Sequence, residues 1–250
     1  ARRIPFLPVG NWTNLIVRGG GYRGVLISLT GLHGLEIRDS GEGEVRVEAE
    51  AGVALSELVT LSMHEGLTGI EFCAGIPGSV GGAVRMNAGA CGSEIKDVVI
   101  TVRLLADPAE GIRTVTRDSL IFGYRNLDLP AETIIIGAAF RLKRGEQEKI
   151  AGRIREILSL RKEKHPLEFR NAGSIFKNPR EIPAGRLIES AGLKGLRIGD
   201  AEVSAKHGNF IVNRGQASAA EVLSLIDLVQ KRVFEATGHS LETEVRIIGE

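Results

Sequence analysis

Glycine is the residue that most constrains this chain, because it is frequent and concentrated in one segment. The sequence has 32 glycines among 250 residues, whereas the usual share in proteins is about 7%. Five of them fall within residues 75–90. Such a segment predicts turns whose backbone N–H groups form a nest for anionic oxygens, as in phosphate-binding loops. A purely structural glycine turn stays open as the alternative. The Gly-Lys-Ser/Thr ending of a nucleotide-hydrolysing P-loop is absent.

Composition places the chain among soluble globular proteins, with 43% hydrophobic and 25% charged residues. The net charge is +1 and the basic residues are spread along the chain, so we expect no nucleic-acid or membrane partner. No apolar run approaches the length of about 18 residues that a membrane span needs. Two cysteines, Cys73 and Cys91, make neither a disulfide framework nor a metal site, which indicates a reducing compartment and a cytoplasmic protein.

Hydrophobic periodicity predicts a mixture of strands and helices. Strands are predicted over 6–9, 15–17, 25–29, 36–38, 44–49, 98–105, 111–115, 133–142, 209–212 and 242–248. Helices are predicted over 54–65, 145–161, 184–191 and 218–237. The last helix begins with a capping box made by Ser218 and Glu221. We place a domain boundary near residue 145, which divides the chain into 1–144 and 145–250.

Two familiar motifs occur without the context that gives them meaning. Gly19, Gly21 and Gly24 have the spacing of a dinucleotide-binding fingerprint, but a predicted strand rather than a helix follows them. They therefore predict a hairpin turn. Ser174 and Lys177 match the Ser-x-x-Lys signature of penicillin-recognising serine enzymes, yet the companion Ser-Asp-Asn and Lys-Thr-Gly tripeptides are absent. Neither a Rossmann fold nor a serine acyl-enzyme is predicted.

A second small-residue segment, 171–179, presents the hydroxyl group of Ser174 and, three residues later, the cation of Lys177. Gly173 allows the main chain to approach a ligand closely, and Pro179 prevents a regular helix or strand from continuing. The segment predicts a turn whose hydroxyl group contacts a substrate. An ordinary Asn/Gly/Ser loop is the alternative that the residues leave open.

Five segments together carry a resemblance to a known family. They are 75–92, 122–125 (Phe-Gly-Tyr-Arg), 171–179, 184–199 and 241–246 (Leu-Glu-Thr-Glu-Val-Arg). In this order and spacing they resemble the UDP-N-acetylenolpyruvoylglucosamine reductases, flavoenzymes that complete UDP-N-acetylmuramate for bacterial peptidoglycan. The resemblance implies an α+β fold, with a non-Rossmann FAD-binding domain in residues 1–144 followed by a separate α/β UDP-sugar-binding domain in residues 145–250.

The chain resembles one branch of the family and departs from the family pattern in two places. The chain resembles the branch without a tyrosine-bearing substrate loop, because residues 143–161 leave no room for one. The family carries about fifty residues before the position of Ile4, and without them we expect an exposed edge on the flavin-domain sheet. The family pattern Gly-x-Gly-Ser-Asn is replaced at 10–14, where Trp12 brings a large indole to a position suited to close backbone approach.

The resemblance also implies a reaction and its residues. NADPH reduces FAD, and the flavin then reduces the enolpyruvyl group at C3, which pushes negative charge onto C2 and the carboxylate. Arg125 would bind the developing enolate, Glu244 would help to stabilise the enol form, and Ser174 would deliver the proton to C2. The implied cofactor-binding residues are Gly10, Thr13, Asn14, Ile76, Pro77, Gly78, Ser79, Gly82, Asn87 and Gly89. The implied substrate-binding residues are Tyr124, Arg161, Lys164, Lys177, Asn178 and His207, and no metal is implied.

The implied partner is a small-molecule UDP-sugar, and the expected state is a monomer. Two other functions stay open. A different flavoprotein oxidoreductase of related fold, such as an oxidase, could also use a glycine-rich loop. A non-catalytic UDP-sugar-binding relic would fit the shortened N-terminus and Trp12.

Overall fold

The computed structural model describes residues 4–39 and 43–250. These residues form two compact units. Unit 1 comprises the chain up to Trp12 together with Gly24–Ser159, and unit 2 comprises Thr13–Arg23 together with Leu160–Glu250. The chain therefore contributes a short early segment to unit 2, returns to unit 1, and completes unit 2 at its C-terminal end.

The chain contains many short strands and five α-helices in the described residues. The strands are β1 (Phe6–Val9), β2 (Leu15–Val17), β3 (Val25–Ser28), β4 (Leu35–Asp39), β5 (Glu44–Glu50), β6 (Leu67–Thr68), β7 (Gly89–Ala90), β8 (Ser93–Glu94), β9 (Val99–Leu105), β10 (Arg113–Thr116), β11 (Phe122–Gly123), β12 (Asn126–Leu127), β13 (Ile134–Arg144), β14 (Arg170–Ser174), β15 (Arg197–Ile198), β16 (Ala201–Val203), β17 (Phe210–Asn213) and β18 (Arg246–Ile248). The α-helices are α1 (Leu55–His64), α2 (Val80–Arg85), α3 (Gln147–Lys164), α4 (Ala184–Ser190) and α5 (Ala219–Thr237). Short 3-10 turns cover Glu71–Cys73, Ile95–Asp97 and Arg117–Ser119. None of the helices in the described residues is both long and apolar enough to cross a membrane.

An antiparallel sheet forms the centre of unit 1. Its strands lie in the order β10-β9-β13-β5-β4, and β6 pairs with the end of β13. Because side chains alternate between the two faces of a strand, Val45 and Val47 of β5 share the buried face. Leu58 of α1 and Ile154 of α3 belong to the same buried cluster. The sheet face is therefore covered by helices, while β1 and β3 form a separate parallel pair.

A second antiparallel sheet, in the order β14-β17-β16-β15, forms the centre of unit 2. Along α5, Leu225, Val229 and Val233 recur at helical spacing and enter the same buried cluster as Ile188 of α4. β2 and β18 pair in parallel. That pairing ties residues 13–23 to the C-terminal end of the chain.

The strands and helices predicted from periodicity are confirmed, with ends that move by a few residues. The final strand, predicted to begin at 242, begins only at Arg246, so Glu244 lies before it. The prediction that 171–179 is a turn is wrong in part, because β14 runs as far as Ser174. The pairing of β14 with β17 shifts register between Asn171 and Ser174, and Gly173 there has a φ of 80°. The strand is therefore interrupted next to the predicted functional serine.

Helix α2 was not predicted, because two glycines lie within its six residues and glycine disfavours helix. The helix forms where the chain needs close packing. A Cβ on Gly81 would lie 2.8 Å from the Cβ of Ala51, so only glycine lets α2 approach the end of β5 at this distance.

The hairpin predicted at the glycines of 19–24 is wrong. The flanking strands do not pair with each other, since β2 pairs with β18 and β3 pairs with β1. The Gly20 N–H donates instead to the carbonyl of Glu250 at 2.8 Å. A Cβ on Gly20 would lie 2.6 Å from that oxygen, so this glycine allows the chain end to pack against the turn.

The boundary predicted near 145 differs from the division into compact units, which falls at Ser159. Most of α3 stays with unit 1 because Ile150, Ile154 and Ile157 are buried in its core. Periodicity contained no sign that residues 13–23 would join unit 2, because their pairing partner lies at the far end of the chain.

The capping box predicted for α5 is confirmed and can be tested. The Ser218 Oγ accepts from the Glu221 N–H at 3.2 Å, and the Glu221 carboxylate accepts from the Ser218 N–H at 2.8 Å. Ser218→Ala should lower the free energy of unfolding by about 1 kcal/mol in chemical denaturation. Ser224→Ala, in the exposed middle of the same helix, is the control and should leave stability unchanged or slightly raised. Equal stability of the two variants would contradict the account.

Candidate active site

The glycine-rich segment 75–90 is hydrogen-bonded to the connection between β5 and α1. The Val80 N–H donates to the Val53 carbonyl at 2.9 Å, and the Gly81 N–H donates to the Ala51 carbonyl at 2.9 Å. Because the protein uses these two N–H groups itself, they do not contribute to an anion nest. The predicted cofactor residues of this loop are Ile76, Pro77, Gly78, Ser79 and Gly82. Within the segment 75–90, which was predicted to form an anion nest, at least these two N–H groups are therefore unavailable to a ligand.

Small residues surround the hydroxyl group of Ser79. A Cβ on Gly10 would overlap the Ser79 Oγ, and a Cβ on Gly82 would lie 3.7 Å from it. Gly75 and Gly78 have φ values of 72° and 136°, which favour glycine. Gly82 is exposed on α2. Gly10 packs against the Ser79 side chain, which is 2% exposed, whereas the exposed backbone of Gly82 is open to a phosphate-bearing group.

Asn87 is fully buried and its amide group is used within the protein. The Asn87 Nδ2 donates to a Glu94 carboxylate oxygen at 3.0 Å and to the Gly123 carbonyl at 2.9 Å. Its Oδ1 accepts from the Lys96 N–H at 3.0 Å. A side-chain contact with a cofactor would have to displace one of these bonds, so the arrangement favours a positioning role.

Arg125 lies in the turn between β11 and β12, next to Tyr124. Its backbone has a φ of 52°, a left-handed conformation that is uncommon for a bulky residue. The guanidinium group donates to the Gly89 carbonyl at 3.1 Å and lies over the Tyr124 ring, 5.1 Å from its centre. The structure thus brings together three predicted site residues, Gly89, Tyr124 and Arg125.

Ser174 and Glu244 lie on adjacent backbone segments of unit 2, and both side chains are half-buried. Ile175, the residue after Ser174, accepts a hydrogen bond at its carbonyl from the Glu244 N–H at 2.8 Å. The Ile175 N–H donates to the Asn209 carbonyl at 2.9 Å. Two of the three predicted catalytic residues are therefore held side by side through the main chain.

Thr13 and Asn14, predicted to bind the cofactor, belong to unit 2 and lie beside this pair. The Asn14 Nδ2 donates to the Glu244 carbonyl at 3.2 Å, and the Asn14 carbonyl accepts from the Arg246 N–H at 3.1 Å. The Thr13 carbonyl is the group nearest to where a Cβ on Gly173 would lie, 4.0 Å away. Asn14 therefore also positions the Glu244 segment.

Asn209 is a residue of the candidate site that the sequence did not single out. It is 3% exposed. Its Oδ1 accepts from the Phe176 N–H at 2.9 Å and its Nδ2 donates to the Phe176 carbonyl at 2.8 Å. This two-point bond fixes the main chain just after Ser174. The sequence signal for Asn209 is a polar residue at the start of the strand predicted over 209–212. That signal does not reveal the partner, because Phe176 lies 33 residues away.

Lys177 and Asn178, predicted to bind substrate, both have partners in unit 2. The Lys177 ammonium forms an ion pair with the Glu242 carboxylate, which is largely exposed. An exposed pair of this kind contributes little stability, so a ligand could displace it. The Asn178 Oδ1 accepts from the Ala184 N–H at 3.0 Å, where it satisfies one of the free N–H groups at the start of α4.

His207 packs with His165 and Phe210 in a ring cluster bordered by cations. The two histidine rings are 5.4 Å apart, and each lies 5.0 Å from Phe210. Burial, and then the nearby charges of Arg161, His207, Lys206 and Lys164, lower the pKa of His165 to about 4. Burial, followed by the Lys194 charge, also lowers the pKa of His207. Both rings are therefore neutral near pH 7 and lie among the predicted substrate residues Arg161 and Lys164.

The backbone fixes the tautomer of the His207 ring. The Asn209 N–H donates to its Nδ1 at 3.1 Å, so in the neutral ring the proton lies on Nε2. Within the described residues, no group of three or more His, Cys, Asp and Glu side chains could hold a metal ion.

Comparisons with known proteins match both parts of the chain. Residues 1–115 match the profile of a FAD binding domain. Residues 165–248 match the profile of the C-terminal domain of UDP-N-acetylenolpyruvoylglucosamine reductase. The fold and the site thus define a flavin-dependent oxidoreductase with a separate C-terminal domain.

Whole-chain relatives narrow this class. The reductase of that name from Syntrophus aciditrophicus is 58% identical over 99% of this chain and 79% of its own length. The one from Lactiplantibacillus plantarum is 47% identical over 100% of this chain and 81% of its own length. The crystal structure of the Thermus caldophilus reductase superposes with a TM-score of 0.84 at 37% identity, covering 98% of this chain and 86% of that one. The chain belongs to the UDP-N-acetylenolpyruvoylglucosamine reductase family. The predicted α+β class, with a FAD-binding domain and a separate C-terminal domain, is confirmed.

The lowered pKa of His165 predicts a pH-dependent stability. Between about pH 6.5 and pH 4 the unfolded chain binds a proton at this histidine that the folded chain resists. The free energy of unfolding should therefore fall as the pH drops through this window. His165→Asn should reduce that fall in urea denaturation at a series of pH values, whereas the control His33→Asn, at an exposed position of unit 1, should not. An unchanged slope in His165→Asn would contradict the account.

Proposed function

We propose that this chain reduces the enolpyruvyl group of UDP-N-acetylglucosamine enolpyruvate to give UDP-N-acetylmuramate, a step in peptidoglycan precursor synthesis. It uses FAD and NADPH. The observation that carries the proposal is the pairing of the Ser174 and Glu244 segments through the Ile175 carbonyl, in a chain that belongs to this reductase family. Family membership favours this reaction over that of another flavoprotein oxidoreductase.

The residues around Ser79 fit FAD. The exposed backbone of Gly82 is open to the pyrophosphate, and Gly10 packs closely against the buried Ser79 hydroxyl group in the same loop region. Ile76 and Pro77 extend the same loop. Gly89 brings backbone close to Arg125. When bound, FAD supplies the hydride that NADPH has given to it, and the chain supplies charge, orientation and the proton.

Arg125 stabilises the negative charge that develops on C2 and on the substrate carboxylate. Its planar guanidinium group can bind a carboxylate through two parallel hydrogen bonds and stays charged at all working pH values. The Gly89 carbonyl and the Tyr124 ring restrict its orientation. A fixed cation costs no reorganisation when the charge forms, which makes it effective in the transition state.

Ser174 donates the proton to C2, and Glu244 stabilises the enol form. A hydroxyl group is a weak acid, so it acts here because the enolate is a strong base and lies within reach. The position of the Ser174 hydroxyl group relative to C2 therefore determines how well it donates the proton. Asn209 holds the main chain after Ser174, and Asn14 holds the carbonyl of Glu244.

The cationic part of unit 2 binds the UDP moiety. Arg161, Lys164, Lys177 and Asn178 supply charge and hydrogen bonds for the diphosphate and uridine, and neutral His207 can donate from Nε2. Tyr124 completes the predicted substrate contacts. A monomeric enzyme in the cytoplasm is part of the same proposal, in keeping with only two cysteines, both free.

The two half-reactions can be measured separately, and only the second should depend on Ser174. Ser174→Ala should leave reduction of the flavin by NADPH nearly intact, because that half places no proton on carbon. It should slow flavin reoxidation by the enolpyruvyl sugar about 10² to 10⁴-fold. Ser174→Cys should recover part of the loss, since a thiol also carries a dissociable proton. Stopped-flow flavin absorbance follows each half.

Ser190→Ala is the matched control for Ser174. Ser190 is exposed on α4, and its hydroxyl group donates to the Leu187 carbonyl of the same helix at 2.9 Å. Both half-reactions should keep wild-type rates in this variant. Wild-type reoxidation in Ser174→Ala would show that Ser174 is not the acid.

Arg125→Lys keeps the charge but loses the planar fork. It should lower the rate of substrate reduction by more than roughly tenfold while leaving flavin reduction near normal. Arg113→Lys, at an exposed arginine paired with Glu110, is the control and should change neither rate. Unchanged turnover in Arg125→Lys would remove Arg125 from the site.

A further inference from the structure

Glu94 lies opposite Gly89 in the two-strand hairpin formed by β7 and β8. Gly89 is the residue whose carbonyl accepts the hydrogen bond from the Arg125 guanidinium group. A Cβ on Gly89 would lie 2.7 Å from the Glu94 Cγ, so the Glu94 side chain passes directly over this glycine. The Glu94 carboxylate therefore belongs to the hairpin formed by β7 and β8, and the Arg125 guanidinium group is hydrogen-bonded to the same hairpin.

A second hairpin, formed by β11 and β12, carries Arg125 at its turn. Asn87 connects the two hairpins, since one amide nitrogen donates both to the Glu94 carboxylate and to the Gly123 carbonyl. Asn87 is fully buried, and its Oδ1 is occupied by the Lys96 N–H. The distance between the Glu94 carboxylate and the Arg125 turn is thereby fixed through a single side chain.

The Glu94 carboxylate is ionised and mostly shielded from water, with 21% of its side chain exposed. Burial opposes ionisation, but hydrogen bonds from Lys96 and Asn87 and the charges of Lys96 and Arg125 outweigh it and lower the pKa of Glu94. The Lys96 ammonium lies 2.6 Å from one carboxylate oxygen. The Arg125 guanidinium group and Glu94 are linked through Gly89, which accepts a hydrogen bond from Arg125 and lies opposite Glu94.

The Arg125 main chain needs such support. A φ of 52° is unfavourable for a bulky residue relative to a right-handed conformation. A residue keeps a conformation of this kind only where its surroundings determine it. Within unit 1, the surroundings that act on this turn include the Gly89 carbonyl, the Tyr124 ring and the Asn87 bond to Gly123.

We propose that Glu94 is a positioning residue for Arg125, a fixed anion that sets the orientation of the guanidinium group before the substrate carboxylate binds. This inference rests on the proposed function. The Lys96 ammonium, 2.6 Å from the Glu94 carboxylate, holds that carboxylate in place. Glu94 itself does not contact the reacting atoms.

The test is a double-mutant cycle in the FAD-saturated chain. Glu94→Gln keeps the size and an oxygen acceptor but removes the charge. It should slow flavin reoxidation by the enolpyruvyl sugar about tenfold to a hundredfold, as expected for a misplaced catalytic group, and leave flavin reduction by NADPH within about twofold. Glu94→Asp, which restores the charge, should recover part of the loss. In an Arg125→Lys background, Glu94→Gln should add less than about twofold, because its effect passes through Arg125.

A readout without turnover accompanies the cycle. Carbon NMR of the Glu94 carboxyl group in the chain without FAD should show a higher pKa in Arg125→Ala than in wild type, because a neighbouring cation has been removed. Glu110→Gln, which breaks an exposed ion pair of similar length with Arg113, is the control and should change no rate.

Three outcomes overturn the inference. The first is a multiplicative loss when Glu94→Gln and Arg125→Lys are combined, and the second is a Glu94 pKa that does not respond to Arg125→Ala. In the third, wild-type chain whose flavin is reduced by NADPH does not react with the enolpyruvyl sugar. That result refutes the proposed function itself and removes the role of Glu94 with it, whereas the first two leave the proposed function standing.

Discussion

In each compact unit a buried asparagine side chain holds a segment of the candidate site. Asn87 is 0% exposed and Asn209 is 3% exposed. In each, the amide group bonds to backbone atoms of a functional segment, so the side chain acts as an extra piece of main chain. Leaving a buried polar partner unsatisfied costs about 1–3 kcal/mol, so both segments have one strongly favoured position. The placement of Arg125 in unit 1 and of Ser174 in unit 2 depends on these bonds.

Unusual backbone conformations occur at the same places. Asn87 and Arg125 have φ values of 40° and 52°, and Gly173, next to Ser174, has a φ of 80°. Trp12, at the position where the sequence departs from the family pattern, has a φ of 59°. Non-glycine residues lose free energy in such conformations and keep them where the surrounding structure determines them, whereas glycine adopts them without strain. At Arg125 the conformation occurs in the turn between β11 and β12.

Much of the fold follows from local sequence pattern, whereas the site does not. Alternation of Val45 and Val47 with charged residues is enough to predict β5, and the Ser218–Glu221 pair is enough to predict the start of α5. The connections that build the site are non-local. Asn14 and Glu244 are 230 residues apart, and no periodicity signals their contact. The small-residue segment 171–179 singles out Ser174, and resemblance to a family singles out Arg125 and Glu244. Asn209 and Glu94 become visible only when their hydrogen-bond partners are known.

The central claim is that the chain places solvent-derived hydrogen on C2 of an enolpyruvyl group. The most direct measurement is incubation of the chain with FAD, NADPH and UDP-N-acetylglucosamine enolpyruvate in D₂O, followed by mass spectrometry and NMR of the UDP-sugar. The Ser174 hydroxyl group exchanges with solvent, so the account predicts UDP-N-acetylmuramate that carries deuterium at C2. Recovery of unreduced substrate, or of product with ordinary hydrogen at C2, would contradict it.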